Sequence, residues 1–346
     1  MFRSKTVFIL GAGASHEIGL PIGEGLKEII AEKLNIQFDW NKQISGDRRI
    51  VQAIKNHVIE EFINIDTKPY LDAAQKLSDA LPQAISIDNL LDAYRGQKKH
   101  EICGKLGIVS SILEAEKSSS IYYAHEQIKM DFKCVRNTWF SGFMKILTEN
   151  IPHGDIEQIF DNLSIINFNY DRCVEHYLYE SLQNYYTIDE KSASHLMNKL
   201  NILHPYGCLG NLPWQEHNHL LQVPFGSEKC DILTLSKDIK TFNESIHETS
   251  EIGALKSLIE NAEIIVFLGF AFHRQNLELI APENPSKARR VFATAYGISK
   301  SDCEVIREEL FSMLKQETKT ASIEFRNDLT CAGLFSEYWR SLTAGI

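Results

Sequence analysis

The stretch that decides the fold is Thr6-Val7-Phe8-Ile9-Leu10-Gly11-Ala12-Gly13-Ala14-Ser15-His16-Glu17-Ile18-Gly19-Leu20-Pro21. The β-branched and apolar run Thr6 to Leu10 predicts a buried strand, the two glycines a tight turn, and the amphipathic pattern from Ile22 to Leu34 a helix. Strand, glycine turn and helix together present backbone N–H groups and the positive end of a helix dipole, where a phosphate or diphosphate can sit. The full dinucleotide fingerprint has a third glycine at the position held here by His16. The pattern alone therefore leaves a second reading open, in which the glycines serve only close packing.

Beyond Leu34, residues 38–150 show few strand signals and a helical period, as in Ile50-Ala53-Ile54-Val58-Ile59-Phe62, Ile85-Ile87-Leu90-Leu91-Tyr94 and Phe132-Val135-Trp139-Phe143-Ile146-Leu147. This predicts a large helical insert after the first helix, whose apolar stripes read as core. Strand signals resume at Leu163–Phe168, Asn201–His204, Glu263–Leu268, Arg290–Ala295 and Ala321–Phe325, with helical patterns at Arg172–Leu182, Ile252–Asn261, Gln275–Ile280 and Lys300–Lys315 between them. Apolar strands alternating with helices describe an α/β fold, a Rossmann-like parallel sheet covered on both faces by helices. Ligands of such sheets bind at the carboxyl ends of the strands. Polar and glycine-bearing residues gather at those ends: Gly11 and Gly13, Asn169 and Asp171, His204 and Gly207, Gly269, and Tyr296 with Gly297.

Composition narrows the partners. A chain of 346 residues has room for a substantial core, and its net charge of −10 argues against a nucleic-acid surface. The seven cysteines have no CxxC spacing, so neither a zinc ribbon nor a disulfide framework is indicated, and no metal is expected. His153, His217, His219 and His247 stand in polar contexts without ligand spacing. No apolar run is long enough to span a bilayer, and the run before Gly11 is too short for a secretion signal; a cytoplasmic, membrane-free protein is expected.

The ordered set Gly11-Ala12-Gly13-Ala14-Ser15 with Gly19-Leu20-Pro21, Asn167-Phe168-Asn169-Tyr170-Asp171 with Glu175, His204-Pro205-Tyr206-Gly207, and Gly269-Phe270-Ala271-Phe272 with Asn276 resembles the sirtuin-like NAD-consuming proteins. It is most similar to the bacterial branch that hydrolyses NAD in anti-phage defence. The resemblance implies a catalytic NAD-binding domain over residues 1–37 and 151–346, with 38–150 as the insert. It also implies that NAD is the substrate, that an activating or inhibiting partner protein controls the enzyme, and that the chain forms a homo-oligomer. Gly11, Gly13 and Ser15 would cradle the diphosphate, with Ala12, Gly19, Pro21, Gly207, Gly269, Phe270 and Tyr296 completing the NAD cleft. Asn169 would hold the nicotinamide ribose and the attacking water, Asp171 the carboxamide, and His204 would be the general base. Deacetylating sirtuins carry four zinc-binding cysteines and an Asp-Phe-Arg after Gly-Ile-Pro; this chain lacks the first and has Ile22-Gly23-Glu24 at the second. Ala271 stands where many relatives have a hydroxyl.

Nicotinamide is a cationic leaving group and needs no general acid, which suits a site with one histidine and one asparagine rather than two carboxylates. Two alternatives stand beside hydrolysis. A lone histidine also fits a buried core position, and Asn-x-Asp after a strand also fits a helix cap, with Asp171 capping and Asn169 pointing into the crevice. The same cleft would equally serve a non-catalytic module that senses NAD or ADP-ribose and signals through a partner.

Overall fold

A computed structural model of the chain describes residues 1–61, 66–124, 129–215, 220–242, 244, 249–317 and 320–345. The sequence-level assignments of Phe62, His217, His219 and His247 lie outside these residues. In chain order come β1 (Thr6–Leu10), α1 (Ala12–His16), α2 (Gly23–Leu34), a hairpin of β2 (Phe38–Asp39) and β3 (Lys42–Gln43), then α3 (Arg48–Glu61), α4 (Lys68–Ala80), α5 (Ile87–Ala93), α6 (Lys98–Ser118) and α7 (Trp139–Thr148). The chain continues through β4 (Leu163–Asn167), α8 (Cys173–Tyr186), α9 (Glu190–Met197), β5 (Asn201–Leu203), α10 (Ile232–Ser236), α11 (Thr249–Asn261) and β6 (Ile264–Leu268). It ends with α12 (Arg274–Ile280), β7 (Arg290–Thr294), α13 (Lys300–Leu314), β8 (Ser322–Arg326) and α14 (Cys331–Thr343).

The main sheet has six strands in the order β5-β4-β1-β6-β7-β8, and every pairing is parallel. Counted along the sheet strands alone this is the order 3-2-1-4-5-6, so the connections reverse direction beside β1 and open a crevice at its carboxyl end. β1 lies in the middle of the sheet, which is why its residues are apolar throughout. Val7 and Ile9 face one core with α2 to α6 and α10 to α13; Phe8 and Leu10 face the other with α7, α8, α9 and α14. The rings of Phe8, Phe143 and Phe335 meet on that second face, with centroids 5.1 to 6.1 Å apart. The 38–150 segment thus contributes to both layers, α3 to α6 on one side and α7 on the other.

Several local expectations are adjusted. The five-residue helix α1 intervenes between the glycine turn and α2, where the sequence pattern suggests a direct step to Ile22. Gly19, at φ +98°, follows α1 and turns the chain back toward α2. Residues 38–43 form a short antiparallel hairpin inside a segment read as helical. Ile59 and Ile85, assigned to apolar stripes, are exposed at the surface. α8 runs four residues beyond Leu182 because Leu182 and Tyr186 are both buried, the tyrosine hydroxyl donating to Ile151 O at 3.0 Å.

The glycine turn is packed backbone against backbone on the turn that follows β6. Gly11 N–H donates to Leu268 O and Gly13 N–H to Gly269 O, both at 3.0 Å. A Cβ on Gly11 would come within 2.6 Å of Gly269 O, and one on Gly13 within 2.7 Å of Gly269 Cα. Gly269 itself has φ +57°, and its Cβ would stand 2.1 Å from Ala14 N. Three glycines are needed for this approach. Glu17 secures the turn from the other side, its carboxylate accepting Trp139 N–H at the start of α7 and Ala332 N–H at the start of α14, each at 2.8 Å. A carboxylate at two helix N-termini also complements both dipoles.

Gly269→Ala should lower stability by about 2 kcal/mol or more, through positive φ and steric overlap together. Gly253→Ala, in α11 with open space around the added methyl, should be neutral or stabilising by up to about 1 kcal/mol. Urea unfolding of the two variants checks the contrast.

Candidate functional site

At the carboxyl ends of β1, β4 and β5 the chain brings together Ser15, Asn169, Asp171, Glu175 and His204. Asn169 lies in the turn after β4, and its side-chain amide donates to Gly11 O at 3.0 Å and to Ser15 Oγ at 3.2 Å. Ser15 Oγ donates to Asp171 Oδ2 at 2.8 Å. The other oxygen of Asp171 accepts Cys173 N–H at 3.1 Å, so Asp171 supports the start of α8 while reaching the glycine turn. His204 follows β5; its Nδ1 lies 3.1 Å from Asn169 O and its Nε2 2.7 Å from Glu175 Oε1. Exposure is low throughout: 3% for Ser15, 9% for Asn169, 3% for Asp171 and 4% for Glu175.

The electrostatics follow from this burial. Burial pushes the carboxyl of Asp171 above its ordinary value, opposed by hydrogen bonds from Cys173 and Ser15. For His204 burial disfavours the imidazolium, but the Glu175 carboxylate and the Asn169 carbonyl outweigh it, and its pKa is raised. Both ring nitrogens are thus engaged, Nδ1 with a backbone carbonyl and Nε2 with a carboxylate, an arrangement that a buried core histidine and a resting catalytic one share.

Two further contacts tie the insert to this turn. Glu116 of α6 and Arg172, exposed by 0% and 1%, form a bidentate ion pair. Arg172 Nε reaches Glu116 Oε1 at 3.1 Å and Arg172 Nη2 reaches Oε2 at 2.6 Å. Glu116 also accepts the N–H groups of Arg172 and Gly226, each at 3.0 Å, and Arg172 Nη1 donates to Val223 O at 2.6 Å. Asp88 of α5 accepts the hydroxyl of Tyr170, in the turn after β4; burial drives both groups toward their neutral forms. Beside them Tyr206 donates to Asn276 Oδ1 at 2.6 Å.

The residues singled out from sequence divide into three sets. Gly11, Gly13, Ser15, Asn169, Asp171, His204 and Gly269 meet in one cluster, joined by Gly207, whose N–H donates to His204 O at 3.0 Å. Gly207, at φ +74°, lies so close to Asp238 O that a Cβ would approach it to 1.9 Å. Ala12 begins α1, and Gly19 and Pro21 sit beyond its far end. Phe270 belongs to an aromatic core with Phe168, Phe267 and Phe272, and Tyr296 is 71% exposed on the turn after β7. The N–H groups of Gly11 and Gly13 are engaged by the β6 turn, so in this conformation the two glycines serve close packing.

Glu175, Glu116, Arg172 and Asp88 are the site-building residues that sequence reasoning gave no role. Glu175 had a usable signal, four residues after Asp171 and hence on the same side of the chain as it enters α8. Asp88 and Glu116 had none, because their partners lie 82 and 56 residues away. A scan of protein-family models finds none that matches this chain, and a search of curated proteins finds no match either.

Glu116→Gln leaves the Arg172 cation buried without its counter-charge and should cost about 3–5 kcal/mol, much of it recovered in Glu116→Leu/Arg172→Met; urea unfolding decides. The histidine pair has a pH signature. Its raised pKa means that the stabilisation is fully present below the ordinary histidine value and is lost as pH rises through the raised value. The stability advantage of wild type over Glu175→Gln should therefore be largest below the ordinary histidine value and shrink as pH rises through the raised one, which urea unfolding across a pH series checks.

Proposed function

We propose that the chain is an NAD glycohydrolase that cleaves NAD to nicotinamide and ADP-ribose, a regulated effector of bacterial anti-phage defence. The observation that carries this reading is the placement of Asn169 and His204 in contact above the Gly11–Ser15 turn, at the strand-order reversal beside β1. NAD would lie across these strand ends, with water as the acceptor. The carbon–nitrogen bond breaks with its electron pair on nicotinamide, which leaves neutral. The water oxygen bonds to the ribose carbon, and its proton passes to the imidazole of His204. Asp171 and Glu175 add negative charge near a reacting centre that becomes positive. A positioned base of this kind contributes roughly 10²- to 10⁴-fold.

The burial of Asn169, Asp171 and Glu175, with Ser15 beside them, supports regulation. Asn169, Ser15 and Asp171 are bonded to one another, so substrate entry requires the turn after β4 to move from α1. A partner protein or assembly of several copies, in the cytoplasm, would supply that trigger. A second reading is favoured by one specific observation: both nitrogens of His204 are engaged, by Asn169 O and by Glu175 Oε1. That suits a module which senses NAD or ADP-ribose and signals through a partner without chemistry.

In bacteria challenged with phage, cells carrying the wild type should lose NAD and accumulate nicotinamide, whereas Asn169→Ala and His204→Ala should cut the loss by about 10²-fold or more. Equal NAD content in all three strains overturns hydrolysis. Calorimetric NAD binding by purified wild type, with NAD left intact in challenged cells, selects sensing.

A further inference from the structure

We propose that Glu175 is a positioning residue that anchors His204 through Nε2, leaving Nδ1 as the nitrogen that exchanges protons with the reaction. The inference rests on the hydrolytic reading for its reaction, but not for its geometry. The two ends of the ring are held unequally. Nε2 faces the buried carboxylate of Glu175 at 2.7 Å, while Nδ1 faces a backbone carbonyl at the longer distance of 3.1 Å. When water or a ribose hydroxyl enters, the Nδ1 end yields first. That end is also the one directed to Asn169, whose side chain touches the Gly11 turn; the Nε2 end is directed into α8.

Glu175 is well placed for this task. It lies in the first turn of α8, where the helix dipole favours a carboxylate. Its second oxygen is buried and has no hydrogen-bond partner among the described residues, so the imidazole of His204 is the side-chain partner of its carboxylate. The other groups facing the pair do not displace it. Asp171 adds negative charge from the turn after β4, and the guanidinium of Arg172 is turned to Glu116. The Cys208 thiol, pushed up to about 12 by burial, is neutral.

The proton balance is closed. In the resting ring Nδ1 carries a proton, which leaves to solvent as pH rises. The neutral ring then keeps its proton on Nε2, bonded to Glu175, and accepts the water proton at Nδ1 as the glycosidic bond breaks. Activity therefore rises with pH through the titration of His204. In Glu175→Gln burial dominates, and the acid limb of kcat against pH should move about 1–3 pH units lower with a reduced plateau. Glu175→Asp should move it back toward wild type.

A substrate-free measurement separates this inference from the hydrolytic reading. Nitrogen NMR of ring-labelled wild type above the titration of His204 should show the Nε2–H tautomer with Nδ1 bare, and the preference should be lost in Glu175→Gln. A neutral ring protonated at Nδ1, or an acid limb unchanged in both Glu175 variants, overturns the inference even where nicotinamide is released. The Nε2–H tautomer in a protein that never releases nicotinamide upholds the anchoring and removes hydrolysis. The wild-type spectrum suffices where a variant does not fold.

Discussion

The ion pair between Glu116 and Arg172 is the constraint on which the position of the polar cluster depends. It joins the long helix of the insert to the residue that immediately precedes α8, and it lies entirely out of water. Removing two charges from water is costly, and the Coulombic attraction offsets that cost only when the remaining donors and acceptors are satisfied. Here they are: the carboxylate takes backbone N–H groups from Arg172 and Gly226, and the guanidinium donates to the carbonyl of Val223. The gain is positional. Arg172 stands one residue after Asp171 and three before Glu175, so fixing its backbone and side chain fixes where both carboxylates emerge.

From that anchor the polar cluster follows by short steps. Asp171 reaches Ser15, Asn169 reaches both Ser15 and Gly11, and His204 bridges the turn after β4 to α8. Apart from the second oxygen of Glu175 these groups satisfy one another, which is how such polar side chains persist at a few per cent exposure. The same closure leaves the cluster's polar groups turned to one another. Its hydrogen bonds are those a ligand would have to replace, and Tyr170 with Asp88 places a helix of the insert directly against the segment that would move.

Much of the architecture was legible because β1 and its neighbours are apolar on both faces, a pattern that only a covered parallel sheet requires. Strand limits agreed to within a residue or so, and the order of polar residues at strand ends led to Asn169, Asp171 and His204 together. What was not legible depended on distance along the chain or on faces seen only in three dimensions. Phe270 and Tyr296 carried equal weight in the sequence, yet one is core and the other solvent-exposed, since a strand-end residue can point to either side. The close packing of the Gly11 turn has as its partner a third glycine, Gly269, more than 250 residues later, which no local pattern reveals. Glu175 was visible as a motif residue but had no role until its carboxylate was found on the histidine ring.

The carboxylate of Glu17 accepts hydrogen bonds from residues 122 and 315 positions further along the chain. Loop closure over such spans is entropically slow to achieve. During synthesis the first strand and its glycine turn leave the ribosome early but stay unfinished until the helix at 331–343 has also emerged. β1 itself waits for two neighbours that lie more than 150 and 250 residues later. A nascent chain therefore has no assembled glycine turn until these later segments have been made. For a protein whose proposed activity would deplete the cell that makes it, that order of assembly is itself a safeguard.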